Sequence, residues 1–354
     1  MISISLPFFI GTWLGTSGFR LIDNSFLLQL SPLLEFCLGF QGLYWGLFFG
    51  FKDIRYFDVN VRHFSVLHAF FIFTVMLAAS YFILYLAKVS AWEILLGSIY
   101  LSLALTQISS TSLLFLKNFK KYSASFAFLF KRVSGITGLF TILLLGFLSP
   151  IGISTSLPHY LFNLLFQCIM AFLIGHLMYL GIRRSKQTKN ILIWLLSLLL
   201  INSGVSYYFG FNPLFMNLIS GMVISSGGYL KEQIRDAVKP FVRPVILFLI
   251  FYTGLSYKMH PLITPLIVVG LVLLRYGLNY WSFHRFFSHQ VLQVEEVKPI
   301  LTSLISLGVL TPAIAVHLNL ITFSPFSTII STSLTLAYIM GYVFMILLVH
   351  QEAS

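Results

Sequence analysis

Long hydrophobic stretches separated by short polar segments recur along the whole chain. Each stretch approaches the length that an α-helix needs to cross the hydrocarbon core of a bilayer, about 20 residues. We place twelve spans at approximately 2–17, 26–50, 64–87, 92–116, 133–149, 157–181, 190–209, 212–229, 243–257, 261–282, 298–318 and 325–349. The pattern predicts an all-α polytopic membrane protein that forms a single membrane domain over residues 1–354.

Two of these spans are interrupted near their centres. The fourth contains residues 106–112, where six of seven side chains are polar, and the eleventh contains Gly308, Thr311 and Pro312 within seven residues. Proline removes a backbone donor, and irregular backbone inside a membrane survives only where protein or a water-filled cavity surrounds it. The interruptions are therefore either proline kinks and polar helix contacts, or a pair of broken helices that form a transport site.

The interrupted spans occupy matching positions in two groups of three. Spans three to five and ten to twelve start on opposite sides of the membrane, and the interrupted span is the middle one of each group. This predicts an inverted repeat relating 64–149 to 261–349, with two crossed discontinuous helices. The residues predicted to meet near the membrane midplane are Ser109, Ser110, Thr111, Gly308, Thr311 and Pro312.

The charged residues set the predicted orientation. The chain has 22 Lys and Arg against 10 Asp and Glu, and 9% of its residues are charged, compared with about a quarter in soluble domains. Even-numbered connections hold eighteen of the basic residues and odd-numbered connections three, with Arg275 inside a span. Because cytoplasmic loops carry the basic excess, we predict that both termini are cytoplasmic. The net charge of +12 is then explained by the cytoplasmic connections, and we expect no binding of nucleic acid.

Five segments in order resemble the monovalent cation/proton antiporter superfamily, the sodium/hydrogen exchanger-like proteins. They are Gly11–Ile22, Gly46–Ile54, Ser109–Lys117, Gly210–Ser225 and Pro244–Ser256. The resemblance implies the antiporter fold with its crossed helices, and the exchange of a monovalent cation for protons across a membrane, here expected to be a bacterial inner membrane.

The chain departs from this family at the ion site. The family carries one or two Asp in the helix after the first crossed one, whereas residues 132–141 contain no acid, and Thr137 lies near the family's position. The family's basic residue in the first helix of the second repeat is matched by Arg275. The resemblance therefore implies a divergent member that lacks the ion-binding Asp.

Arg275 and Glu35 are the charged residues that lie within the apolar runs of predicted spans, away from the polar connections. Arg275 either extends to the cytoplasmic headgroups, or lies at the broken helices, where carbonyls, hydroxyls or an anion would stabilise its charge. Glu35 is either a protonated structural acid, a partner of Arg275, or a displaced proton carrier. Both residues are therefore candidate site residues.

The histidines and cysteines add few candidates. His317 follows Pro312 by five residues and is a candidate proton carrier, although a histidine in a helix bundle is more often a packing residue. His68 is expected at the membrane interface. The two Cys and nine His show no metal-ligand spacing, and no catalytic motif is present. We expect no metal, no cofactor and no enzymatic activity.

Three functions remain open. The chain either exchanges a monovalent cation for protons, transports an anionic or neutral solute by means of Arg275, or is a non-transporting membrane subunit that binds a partner. The expected partners are the lipid bilayer, monovalent cations and protons, a second copy in a homodimer and, for the third function, a membrane or cytoplasmic protein.

Overall fold

The computed structural model describes residues 2–50, 59–86, 90–108, 124–149, 156–184, 188–227, 231–258, 260, 263–287, 307–322 and 324–351, and within them the chain is helical without strands. The helices are α1 (Ile2–Leu14), α2 (Asn24–Gln29), α3 (Ser31–Phe48), α4 (Val59–Leu86), α5 (Ala91–Thr106), α6 (Ala124–Leu148), α7 (Leu157–Arg184), α8 (Thr188–Phe209), α9 (Pro213–Ser226) and α10 (Lys231–Leu255). Next, α11 joins a helical turn (Ile263–Pro265), a π-helical segment (Leu266–Leu271) and an α-helix (Val272–Phe287). The last two helices are α12 (Thr311–Thr322) and α13 (Pro325–Gln351).

Many of these helices suit a membrane. Among the described residues, seven helices are long and apolar enough to cross one, and four shorter apolar helices accompany them. In α4 only 28% of the membrane-length window is buried, and large apolar side chains such as Phe70 and Phe82 are exposed. Such an apolar outer surface fits lipid rather than water. An all-helical integral membrane protein is thus confirmed, while the count of twelve spans stays a prediction.

The chain divides into two compact units. Unit 1 comprises residues 1–24, 58–138 and 250–354, and unit 2 comprises 25–57 and 139–249. Most of both predicted repeats, 64–149 and 261–349, therefore falls in unit 1. The repeat itself remains a prediction.

Glycines allow two helices of unit 2 to pack with their backbones in contact. A Cβ atom on Gly42 would lie 2.9 Å from the Cα of Leu214, and one on Gly46 would lie 2.9 Å from the Cα of Gly221. Small residues at such positions let α3 and α9 approach more closely than side chains would permit.

Polar side chains also join the helices of unit 2. The amide of Asn202 on α8 donates to Asn217 Oδ1 at 3.1 Å and to Ser220 Oγ at 2.9 Å, both on α9. The Ser220 hydroxyl in turn donates to the carbonyl of Ala171 on α7 at 2.7 Å. This network fixes α9 between its neighbours, because each buried polar group that pairs avoids a desolvation cost.

In unit 1, α5 packs along α4, and α12 packs against α13 and α5. Buried hydroxyls line α13, and Asn319 of α12 donates to Ser331 Oγ at 2.8 Å. The N-terminal helix closes on the end of α10, where a Cβ on Gly254 would lie 3.2 Å from the Cα of Gly11. The contacts with α4 and α13 hold the two interrupted elements, α5 and α12, inside the unit.

Candidate functional site

The first interruption lies at the end of α5. The helix ends at Thr106, and Gln107 has extended backbone angles, with φ −71° and ψ 141°. Both Gln107 and Ile108 are buried. The chain therefore leaves the helix within the predicted fourth span. Ser109, Ser110 and Thr111, which were predicted to meet the other break, lie outside the described residues.

The second interruption precedes α12. Residues 307–310 are not helical, and the first helical bonds run from Thr311 N to Gly308 O at 3.0 Å and from Ile314 N to Leu310 O at 2.9 Å. Pro312 is the second residue of α12, where the missing N–H costs little because the first turn has no intrahelical partner for it. Pro312 therefore begins this helix instead of kinking a continuous one.

The two interruptions pack on each other. A Cβ atom on Gly308 would lie 2.5 Å from the Cβ of Gln107, so only glycine permits the observed approach. The two helices also meet further along, where Tyr100 Oη and His317 Nδ1 share a hydrogen bond of 2.8 Å and the rings stack. The structure thus brings Gly308 and His317 against α5. We refer to this meeting of α5 and α12 as the crossing.

Arg275 of α11 lies at the crossing and is completely buried. Its Nε donates to Leu105 O at 2.6 Å, and its Nη2 donates to Gln107 O at 2.5 Å. The last carbonyls of an α-helix have no partner in the helix and carry a partial negative charge. Arg275 therefore neutralises the open end of α5 and does not extend to the headgroups.

Thr137 is buried on α6, one turn beyond a residue that also binds the first interruption. Ser134 Oγ donates to Ile108 O at 2.7 Å, and Thr137 Oγ1 donates to Ser134 O at 3.0 Å. The α6 helix thus lies beside the break in α5.

Two site residues were missed from the sequence. His68 of α4 is 2% exposed and packs inside unit 1, with its Nδ1 2.8 Å from Ser282 Oγ. Asn279, 1% exposed, lies between Arg275 and Ser282 on one face of α11, at the four- and three-residue spacings of a helix. That spacing was a usable signal, but the partner helix lies about 200 residues away in sequence.

Glu35 lies in unit 2, on α3. Its backbone carbonyl accepts a bond of 3.3 Å from Ser203 Oγ, and its buried Oε2 has no partner among the described residues. The partnership between Glu35 and Arg275 that the sequence left open is not needed, since backbone carbonyls of α5 already bind the guanidinium.

Several buried polar atoms of unit 1 remain unpaired within the described part of the chain. They are Gln107 Nε2, Thr311 Oγ1, His68 Nε2 and both carboxamide atoms of Asn279. The Asn279 carboxamide lies beside the His68 ring, but outside hydrogen-bond geometry. An unpaired buried polar group costs about 1–3 kcal/mol, and such groups usually bind ordered water or a ligand. None of these groups is a carboxylate.

Comparison with known proteins identifies the fold. The solved structure of the sodium/proton antiporter MjNhaP1 from Methanocaldococcus jannaschii at pH 8 is similar over 99% of this chain and 90% of that chain, with a TM-score of 0.65 and 13% sequence identity. No protein-family model and no curated protein sequence matches the chain. At this identity the likeness shows the fold alone. The antiporter-like fold expected from the five sequence segments is confirmed.

Proposed function

We propose that this chain is a membrane transporter whose solute binds at the crossing of α5 and α12, and that it exchanges a monovalent cation for protons. The observation that carries the proposal is the contact between the two interruptions, Gln107 against Gly308, beside unpaired polar groups. Discontinuous helices that meet in this way are where transporters bind solute and coupling ions. The solved protein of similar fold is a sodium/proton antiporter, which supports the same class of activity.

Oxygen atoms at the crossing would replace the water around a cation. Thr311 Oγ1 is unpaired among the described residues, and the carboxamide oxygen of Gln107 lies against Gly308. Thr137, on the neighbouring helix, lies near the position where the resembling family has Asp. Because these groups are neutral, they offset less of the cation's dehydration cost than a carboxylate would, and we expect weak cation binding.

A second candidate is the transport of an anionic or neutral solute. It is favoured by the positive charge of Arg275 and by the N-terminus of α12, which carries partial positive charge and opens at the crossing. Under this alternative, inorganic phosphate or acetate would raise the thermal stability of the detergent-solubilised protein, whereas Na⁺, K⁺ and Li⁺ would not.

The test uses purified protein in liposomes with a pH-sensitive dye inside. Addition of Na⁺, K⁺ or Li⁺ to the outside should move protons out through the wild-type chain, and Thr137→Asp should lower the cation concentration needed, because it adds a carboxylate at the site. If the wild type moves no protons with any of the three cations while Thr137→Asp does, the fold has lost its cation site and serves another role, either transport of the anionic or neutral solute or binding of a partner protein.

The same proposal includes orientation and assembly. We infer from the basic excess in the even-numbered connections that both termini lie in the cytoplasm. The resemblance to the antiporter superfamily favours a bacterial inner membrane. We also expect the chain to form a homodimer, and to transport its solute without catalysing a chemical reaction.

A further inference from the structure

A hydrogen-bonded pair of aromatic side chains joins the two broken helices at a second point, away from the contact of Gln107 with Gly308. We propose that Tyr100 and His317 are positioning residues, which hold α5 and α12 at the angle and separation that solute binding at the crossing requires. The assignment rests on the proposed function, because it concerns the same site. It gives His317 a role that needs no gain or loss of a proton.

The two side chains are enclosed by protein and bonded to each other. Tyr100 and His317 are each 3% exposed, the phenol oxygen lies 2.8 Å from Nδ1, and the ring planes are 24° from parallel. A buried hydroxyl that donates to no acceptor carries a desolvation cost, and Nδ1 is the acceptor that the structure gives to Tyr100. The phenol therefore donates to Nδ1, and the proton of the neutral imidazole lies on Nε2.

This bond fixes α12 against α5 more closely than apolar contact alone. A hydrogen bond weakens steeply when its length or angle departs from the preferred values, whereas apolar contact has no preferred direction. On another side of α12, Asn319 donates to Ser331 Oγ of α13 at 2.8 Å. Because His317 and Asn319 are two residues apart, about 200° around a helix, α12 is held by directional bonds to both of its neighbours.

The pair lies far enough from the first contact to set the angle between the helices. Tyr100 precedes Gln107 by seven residues, and His317 follows Thr311 by six. At a rise of 1.5 Å per residue, the second contact is therefore about 9–10 Å from the first along each chain. The angle sets the separation of Gln107 Oε1 and Thr311 Oγ1, the oxygens proposed for the cation, and an error of about 1 Å at a site is enough to weaken it.

The first experiment separates positioning from folding. Tyr100→Phe removes the donor and His317→Leu removes the acceptor. In the dye-loaded liposomes, each variant should raise the Na⁺, K⁺ or Li⁺ concentration that gives half-maximal proton movement by about three- to tenfold, the factor that one net hydrogen bond represents. The maximal rate should stay close to that of the wild type. A merely structural role would instead lower the maximal rate, through fewer active molecules, and leave the half-maximal concentration unchanged.

The double variant tests whether the two side chains act as one unit. Tyr100→Phe combined with His317→Leu should raise the half-maximal concentration no further than the more affected single variant, because both changes break the same bond. The matched controls are Tyr81→Phe on α4, where the ring is 46% exposed, and His176→Leu on α7, where the ring is also exposed. Both should behave as the wild type. Additive effects of the two single changes would overturn the assignment.

His317→Asn distinguishes a positioning residue from a proton carrier. Asparagine places a carboxamide oxygen near the position of Nδ1, where it can accept the bond from Tyr100, but it cannot carry a proton. Exchange should therefore persist in this variant, with a half-maximal cation concentration close to that of the wild type. A His317→Asn protein that is monodisperse in size-exclusion chromatography yet moves no protons overturns the positioning role, and makes His317 a proton carrier.

Cation binding in detergent separates this inference from the proposed function. The exchanged cation should raise the melting temperature of the wild type, and Tyr100→Phe should move the concentration dependence of that rise by the same factor as in liposomes. If the wild type binds and exchanges the cation, and neither Tyr100→Phe nor His317→Leu changes the half-maximal concentration, the positioning role alone is overturned. A wild type that neither binds nor exchanges any of the three cations overturns the proposed cation exchange, and the assignment with it.

Discussion

At the scale of single residues, two arginines each donate hydrogen bonds to the carbonyls at the end of a helix. The last carbonyls of a helix have no partner within the helix, and where the helix ends in the protein interior, as α5 does, water cannot reach them. Arg275 donates to the carbonyls of Leu105 and Gln107 at the end of α5. Arg235 donates to those of Leu47 and Phe48 at the end of α3, with bonds of 3.2 and 2.8 Å. The planar guanidinium suits this task, because its several donors reach two neighbouring carbonyls at once.

Replacing Arg275 tests whether this contact stabilises the break in α5. In Arg275→Gln the carbonyls of Leu105 and Gln107 lose charged donors, and we expect a loss of about 3 kcal/mol of stability, since each such bond contributes about 1.5–3 kcal/mol. The measurement is thermal unfolding in detergent followed by tryptophan fluorescence. Arg285→Gln is the control: Arg285 is exposed on the same helix and stacks on Trp281, so its loss should change stability little. Equal melting temperatures for Arg275→Gln and the wild type would contradict the assigned role.

The approach of Gly308 to Gln107 gives a second prediction at this scale. Gly308→Ala places a methyl group against the Gln107 side chain and should destabilise the protein by about 1–3 kcal/mol, as overpacking does. Gly277→Ala on α11 is the control, because nothing lies within 4 Å of a Cβ there, and alanine favours a helix over glycine. The melting temperature of Gly308→Ala should therefore fall, whereas that of Gly277→Ala should rise or stay unchanged. An unchanged melting temperature for Gly308→Ala would mean that α5 and α12 pack less closely at the crossing than the structure shows.

At the scale of elements, the sequence predicted where helices break better than what the broken ends contact. Clustered polar residues marked the end of α5, and Gly308 with Pro312 marked the start of α12, because backbone chemistry is local. Pro312 was expected to disrupt a helix, but it lies in the first turn of α12. The sequence alone does not show where that first turn begins. His68 was expected at an interface because it lies near a span start. Its burial depends on α11, and single-sequence patterns do not show which distant helices pack together.

Close packing of α3 on α9 yields a prediction for a pair of elements. Gly46→Leu would place a side chain where the Cα of Gly221 lies 2.9 Å from a bare Cβ, so the helices must separate, at a cost of about 3 kcal/mol or more. The yield of monodisperse protein in size-exclusion chromatography should fall sharply. Gly204→Leu on α8, at an exposed position with nothing within 4 Å, should be tolerated. Similar yields for both variants would argue against a glycine-dependent contact.

At the scale of the whole molecule, the distribution of basic residues predicts a topology that labelling of single cysteines tests directly. Arg184 and Arg285 belong to even-numbered connections, and Lys258 belongs to an odd-numbered one. In a chain whose Cys37 and Cys168 are replaced by alanine, a membrane-impermeant maleimide added to intact cells should label Lys258→Cys. It should leave Arg184→Cys and Arg285→Cys unlabelled until the cells are permeabilised, because the basic excess stays on the cytoplasmic side. Labelling of all three positions from one side would invalidate the alternation. Since the inverted repeat requires α4–α6 and α11–α13 to start on opposite sides of the membrane, that result would also remove the topological basis for the crossed-helix transport site.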